Sequence, residues 1–141
     1  MPARARGVRR LMECKKGILN ARLAGILAGF GHVELLVVAD AGLPVPAGVE
    51  LLDLALVAGV PSFPVALGAV LDRLVVEAAV VASELEPRNP AVFAVTTHLL
   101  GGIPTRRVSH AELREMTLRA RLAVRTGECT PYANVVAGVP F

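Results

Sequence analysis

The stretch Gly31-His32-Val33-Glu34-Leu35-Leu36-Val37-Val38-Ala39-Asp40-Ala41-Gly42-Leu43-Pro44-Val45-Pro46 decides the fold. Leu, Val and Ala fill positions 35 to 39 without a break, the composition of a strand buried on both faces. The pattern predicts a strand over 33–39, with His32 at its start and Asp40 at its end. Gly42, Pro44 and Pro46 then stop it. An aspartate leaving the C-terminal end of a buried strand stands where open α/β sheets bind ligands.

Working outward, apolar runs alternate between helical and extended spacing, which implies α/β layering in one domain of 141 residues. Before the strand, Asn20 caps a helix whose inner positions are Leu23, Ile26, Leu27 and Phe30, closed by Gly29 and Gly31. Those glycines follow a helix, precede a strand and lack a third partner, so they do not form a dinucleotide loop. After the strand come an extended segment over 49–57 and a helix opened by Pro61 and running to Leu71. A central strand follows over 74–82. Asn89-Pro90 reads as a helix cap, with Gly101-Gly102 as the stop. A short strand is expected over 105–108. Ser109-His110-Ala111-Glu112 has the form of a capping box, with its helix reaching Thr126. Tyr132 to Val136 closes the chain as a last strand.

Composition bounds the function. The hydrophobic fraction is 54% and Trp is absent, so the core must be aliphatic. That apolar surplus implies that some apolar surface is buried between subunits. The net charge of +3 conceals a local +5 in residues 1–16, which leaves the body at −2. The basic residues therefore form a tail, not a nucleic-acid-binding face. Residues 1–11 are expected to be a disordered basic extension, with Met12 as an alternative start and 12–141 as the folded domain. Lys15, Lys16 and Arg22 interrupt any apolar leader. The uncharged run Leu54 to Leu71 has 18 residues, the length of a short membrane span. Gly59, Pro61, Pro64 and Gly68 divide it, so the chain is expected to be soluble. Two cysteines, Cys14 and Cys129, stand far apart without metal-ligand spacing, which suits a reducing cytoplasm.

Several side chains carry possible chemistry. His32 could move protons near neutrality, or serve structurally at a helix–strand junction. Asp40 could bind a polar ligand or hold the turn that follows it. His110 begins a capped helix, where it either packs or meets a ligand. His98 reads as packing or surface, and Cys129 has no base beside it in sequence. Tyr132 and Asn134, two apart, would project from one face of an extended segment. His32 and Asp40 are eight residues apart, about 26 Å in an unbroken strand at about 3.3 Å per residue. Either the strand is shorter, or a neighbouring subunit completes each site; the apolar surplus favours the second.

Together these residues resemble the D-ribose pyranase family, within the wider ribose pyranase and fucose mutarotase group. The motifs are Lys15-Lys16-Gly17-Ile18-Leu19-Asn20, Phe30-Gly31-His32, and Val37 to Pro46. They continue with Gly59-Val60-Pro61-Ser62-Phe63, Val76-Glu77-Ala78-Ala79, and Thr126-Gly127-Glu128-Cys129-Thr130-Pro131-Tyr132-Ala133-Asn134. Gly42 is similar to the ribose branch rather than the fucose branch. The segment 91–108 and the chain end are shorter than the family pattern, and His110 is matched through the Glu112 helix.

The resemblance implies an isomerase that interconverts the pyranose and furanose forms of D-ribose. It implies a proton donor at His32 and sugar contacts from Asp40, His110, Tyr132, the Ala133 backbone and Asn134. It implies a three-layer domain with a central mixed β-sheet flanked by helices. It further implies ring-shaped homo-oligomers, pentameric rings or a homodecamer, with sites between subunits. No cofactor, metal, nucleic acid or membrane partner is expected. The alternatives are a mutarotase for L-fucose or another monosaccharide, and a non-catalytic sugar-binding partner of a transport system.

Overall fold

The structure, a computed structural model, describes residues 17–31 and 34–138. Its elements in order are α1 (Ala21–Ala28), β1 (Leu36–Ala39), β2 (Glu50–Asp53), α2 (Phe63–Arg73) and β3 (Ala78–Ala82). Then come α3 (Leu85–Arg88), α4 (Pro90–Leu100), β4 (Thr105–Val108), α5 (His110–Thr117), β5 (Leu122–Arg125) and β6 (Val135–Gly138). The strands form one mixed sheet in the order β2-β5-β1-β6-β3-β4. β1, β2 and β5 run parallel, as do β3 and β4; β6 lies antiparallel between the two groups.

The expected layering holds. Along β1, Leu36 and Val38 enter one core with Leu23, Leu27, Phe63, Leu67 and Val70. Val37 and Ala39 enter the other, with Leu113 and Met116 of α5. Alternate side chains of a strand point to opposite faces, so a strand apolar at every position needs helices on both sides. Burial of Leu36 and Leu67 contributes about 1.5–3 kcal/mol each before the entropy of ordering them.

Local signals set several helix starts. Asn20 accepts from the Leu23 N–H (2.9 Å), Ser62 from Val65 (3.3 Å) and Ser109 from Glu112 (3.1 Å). α2 begins at Phe63, two residues after Pro61, and has only 11 residues. Among the described residues no helix is long and apolar enough to cross a membrane.

Several expectations are corrected. β1 is four residues long, starting at Leu36 rather than 33. The extended segment over 49–57 contracts to β2, followed by an isolated bridge between Val57 and Val60. β3 begins at Ala78, because Val75 and Glu77 are turned to solvent. The largest error concerns 118–126: α5 ends at Thr117, and Leu122–Arg125 is a central strand between β2 and β1. Leu, Ala and Arg suit a helix, but parallel partners on both sides outweigh that weak preference. The last strand starts at Val135, and Tyr132 is in a turn with φ of +60°. Tyr132 and Asn134 therefore do not share one face of an extended segment.

Candidate functional site

Parallel strands deliver their C-terminal ends to one edge of the sheet. Asp40 follows β1, Thr126 follows β5, Glu84 follows β3 and His110 follows β4. The antiparallel β6 starts at that same edge, so Tyr132, Ala133 and Asn134 arrive there from the opposite direction. This is the crevice that open α/β sheets use for ligands.

Asp40 and Asn134 hold each other. The Asp40 backbone N–H donates to Asn134 Oδ1 (2.9 Å), and Asn134 Nδ2 donates to Asp40 Oδ2 (3.2 Å). The Gly42 N–H donates to Asp40 Oδ1 (3.0 Å), an Asx turn, so Asp40 does hold its own loop. Burial pushes the Asp40 carboxyl above its ordinary value, against hydrogen bonds from Gly42, Asn134, Leu43 and Ala133 that favour the charged form. Ala133 and Asn134 are fully buried. Asn134 thus orients Asp40 from beneath.

His110 and Tyr132 make the opposite wall. Their ring centroids lie 5.1 Å apart at 81°, an edge-to-face pair. His110 Nδ1 is buried without a hydrogen-bond partner among the described residues. Asp40, Gly42, Leu43, His110, Pro131 and Tyr132 line a cleft of about 210 Å³. The arrangement offers a desolvated carboxylate, an imidazole and a phenol to a small polyhydroxylated molecule. No cluster with metal-binding composition occurs among the described residues.

The loop behind this wall is tied down by residues to which the sequence assigned no such role. Glu128 accepts from the Phe63 N–H at the start of α2 (2.9 Å) and from the Thr130 hydroxyl (2.8 Å). Asn89, read as a helix cap, makes no side-chain cap. Its amide donates to Thr130 Oγ1 (2.9 Å) and to the Pro131 carbonyl (2.8 Å) instead. Its backbone carbonyl still accepts from Phe93. The signal available in the sequence was the polar Thr126-to-Thr130 run, which has too many hydrogen-bonding groups for a bare linker.

His32 lies outside the described residues. Its neighbours Gly31 and Glu34 lie toward the other end of β1; Glu34, six residues before Asp40, is at most about 20 Å from it at about 3.3 Å per residue. A second cleft, also about 210 Å³, opens there between Phe30, Gly31, Glu34, Val76 and Gly138. Arg121 donates to Glu34 and to the Gly29 carbonyl and covers the Phe30 ring at 5.0 Å. Of the other candidates, His98 is exposed on α4, and Cys129 is an exposed free thiol.

The chain is similar to known proteins along most of its length. The pattern of the RbsD / FucU transport protein family matches residues 13–139. The chain belongs to this family. D-ribose pyranase of Symbiobacterium thermophilum is 54% identical over 129 residues, covering 90% of this chain and 98% of that protein. The solved structure of Bacillus subtilis RbsD complexed with D-ribose has a TM-score of 0.84 at 40% identity. That match covers 92% of this chain and all of the other. Fucose mutarotase from Streptococcus pneumoniae, solved in complex with L-fucose, has a TM-score of 0.73 at 20% identity, over 87% and 95% of the two chains. At that identity it shows the fold alone.

Proposed function

We propose that this protein is a D-ribose pyranase, an isomerase interconverting the pyranose and furanose forms of D-ribose. The observation that carries the reading is the 40% identity, across the whole domain, to an RbsD complexed with D-ribose. The polar cleft at the Asp40 edge supports it, since a ring of hydroxyls needs acceptors and donors held in fixed places.

In the reaction the anomeric O–H loses its proton, the bond from C1 to the ring oxygen breaks, and that oxygen is protonated. The open-chain aldehyde then closes through a different hydroxyl. Atoms and electrons balance without an oxidant or group donor, so general acid–base assistance suffices. His32 is the proton carrier in this reading. Asp40, His110, Tyr132 and the Ala133 backbone hold the hydroxyls, and Asn134 fixes Asp40.

Gly31 and Glu34, which flank His32 in sequence, lie toward the end of β1 away from Asp40, so a site holding both His32 and Asp40 takes His32 from a neighbouring subunit in this reading. The family resemblance implies that this neighbour belongs to a ring-shaped homo-oligomer, pentameric or decameric. Exposed Leu56, Val57 and Val60 support this. They sit on a bridge whose Gly59 N–H donates to the Gly127 carbonyl, beside the Asp40 edge. A cytoplasmic location and a folded unit of 12–141 belong to the same proposal.

Saturation-transfer NMR on ribose, with fucose in parallel, tests the activity. Exchange between ribose ring forms should accelerate with protein, and His32→Ala should abolish the acceleration while leaving ribose bound. Unaccelerated exchange with intact binding would favour the second reading, a sugar-binding partner of a transport system, which the family's description as transport proteins supports. A fully active monomer would refute the shared site.

A further inference from the structure

Glu84 and Asn89 stand at the two ends of α3, the four-residue helix between β3 and α4. Each reaches a different half of the His110–Tyr132 wall of the cleft. The backbone N–H of His110, unpaired within α5 because it opens that helix, donates to both carboxylate oxygens of Glu84 (3.0 and 3.2 Å). A carboxylate there also meets the positive end of the α5 dipole. At the other end the buried Asn89 amide holds the Pro131 carbonyl, one residue before Tyr132. Tyr132 has the left-handed φ of +60°, uncommon for an aromatic residue, and such a conformation persists only where its surroundings impose it.

We infer that Glu84 and Asn89 are positioning residues for sugar binding, with α3 as the spacer that sets His110 against Tyr132. This rests on the cleft being the ribose site. The two rings belong to segments 22 residues apart in sequence, and both are tied to one short connection. Lengthening or loosening either tie changes the 5.1 Å ring contact and, with it, the spacing of the groups presented to the sugar. Neither residue faces the cleft, so the effect falls on KM before kcat.

Four variants test this in the full chain: Glu84→Ala, Glu84→Gln, Asn89→Ala and Asn89→Asp. Glutamine keeps an acceptor for the His110 N–H, whereas aspartate keeps the shape of Asn89 but loses both donors. Glu84→Ala, Asn89→Ala and Asn89→Asp should weaken ribose binding about tenfold and move the His110 ring-proton resonances, while Glu84→Gln stays within about threefold of the parent. Folded variants with unchanged ribose affinity and unmoved His110 resonances would overturn the inference, whatever their Tm. Should the Asn89 variants not fold, the Glu84 pair decides alone. The resonance shift needs no sugar, so it reads the positioning even if ribose proves not to be the ligand.

Discussion

Two carboxylates bracket β1, and their environments push them in opposite directions. At the N-terminal end, the Gly31 N–H and then Arg121 hold the Glu34 carboxyl below its ordinary value, in the open. At the C-terminal end, burial lifts the Asp40 carboxyl although four donors oppose the shift. Glu34 is a solvated ion pair that fastens α1 to the sheet. Asp40 is kept from water and surrounded by dipoles, the condition in which a charged group gains most from a new polar partner. The strand between them is the same; the difference is what covers its ends.

Two glycines break the comparison most strongly. A Cβ at Gly127, near Asp40, would lie 2.5–2.7 Å from backbone atoms of Val60 and Val57. A Cβ at Gly138, near Glu34, would meet the flexible end of Leu35 at 2.5 Å and the Glu34 carbonyl at 2.8 Å. Gly127→Ala should therefore cost about 3 kcal/mol and Gly138→Ala about 1–2 kcal/mol by urea unfolding. Equal costs would mean that the Asp40 edge is no more rigidly built than the other.

Next in size is the response to pH. A raised folded-state value means that the Asp40 contribution to stability is complete below the unfolded value of 3.8. It is lost as pH rises through the folded value. The stability of the parent relative to Asp40→Ala should thus shrink as pH rises above 3.8 and through the raised folded value. Ribose affinity should move the opposite way, falling on acidification as the carboxylate is neutralised. Calorimetric titration and unfolding at matched pH check both signs; a shared sign would show that burial does not govern Asp40.

The smallest effect belongs to Arg121→Ala. The Glu34 titration, followed by NMR, should rise toward its ordinary value, with little change in stability. A large loss would mean that the Arg121 stack on Phe30 and its bond to the Gly29 carbonyl matter more than the charge.

The opening stretch was readable because an unbroken apolar run ending in Asp-Ala-Gly-Leu-Pro has few solutions. Asn20 and Ser109 were readable as caps because one side-chain oxygen meets one orphan N–H, an arrangement local in sequence; Ser62 caps in the same way, one residue after the Pro61 expected to open its helix. β5 was not readable. No Gly or Pro separates it from α5, and Leu122-Ala123-Val124 is too short to show a period. Its identity comes from β1 and β2 on either side. Asn89-Pro90 marked the helix start correctly, yet the Asn89 amide makes no cap and serves a loop 41 residues away instead. Local rules break where a longer-range demand overrides them, and here that demand sits behind the proposed sugar site. The sequence signal for Asp40, His110 and Tyr132 was their residue type; what joined them was the sheet topology.

That topology constrains how the protein can be made. β6 follows every other strand in sequence yet lies in the middle of the sheet, and it alone joins the β2-β5-β1 group to the β3-β4 group. A chain emerging from the ribosome can form the two groups separately, but their shared edge stays open until β6 appears. Tyr132, Ala133 and Asn134 lead directly into that strand. The proposed sugar site and the closure of the sheet are therefore completed together, and a chain stalled before β6 has neither.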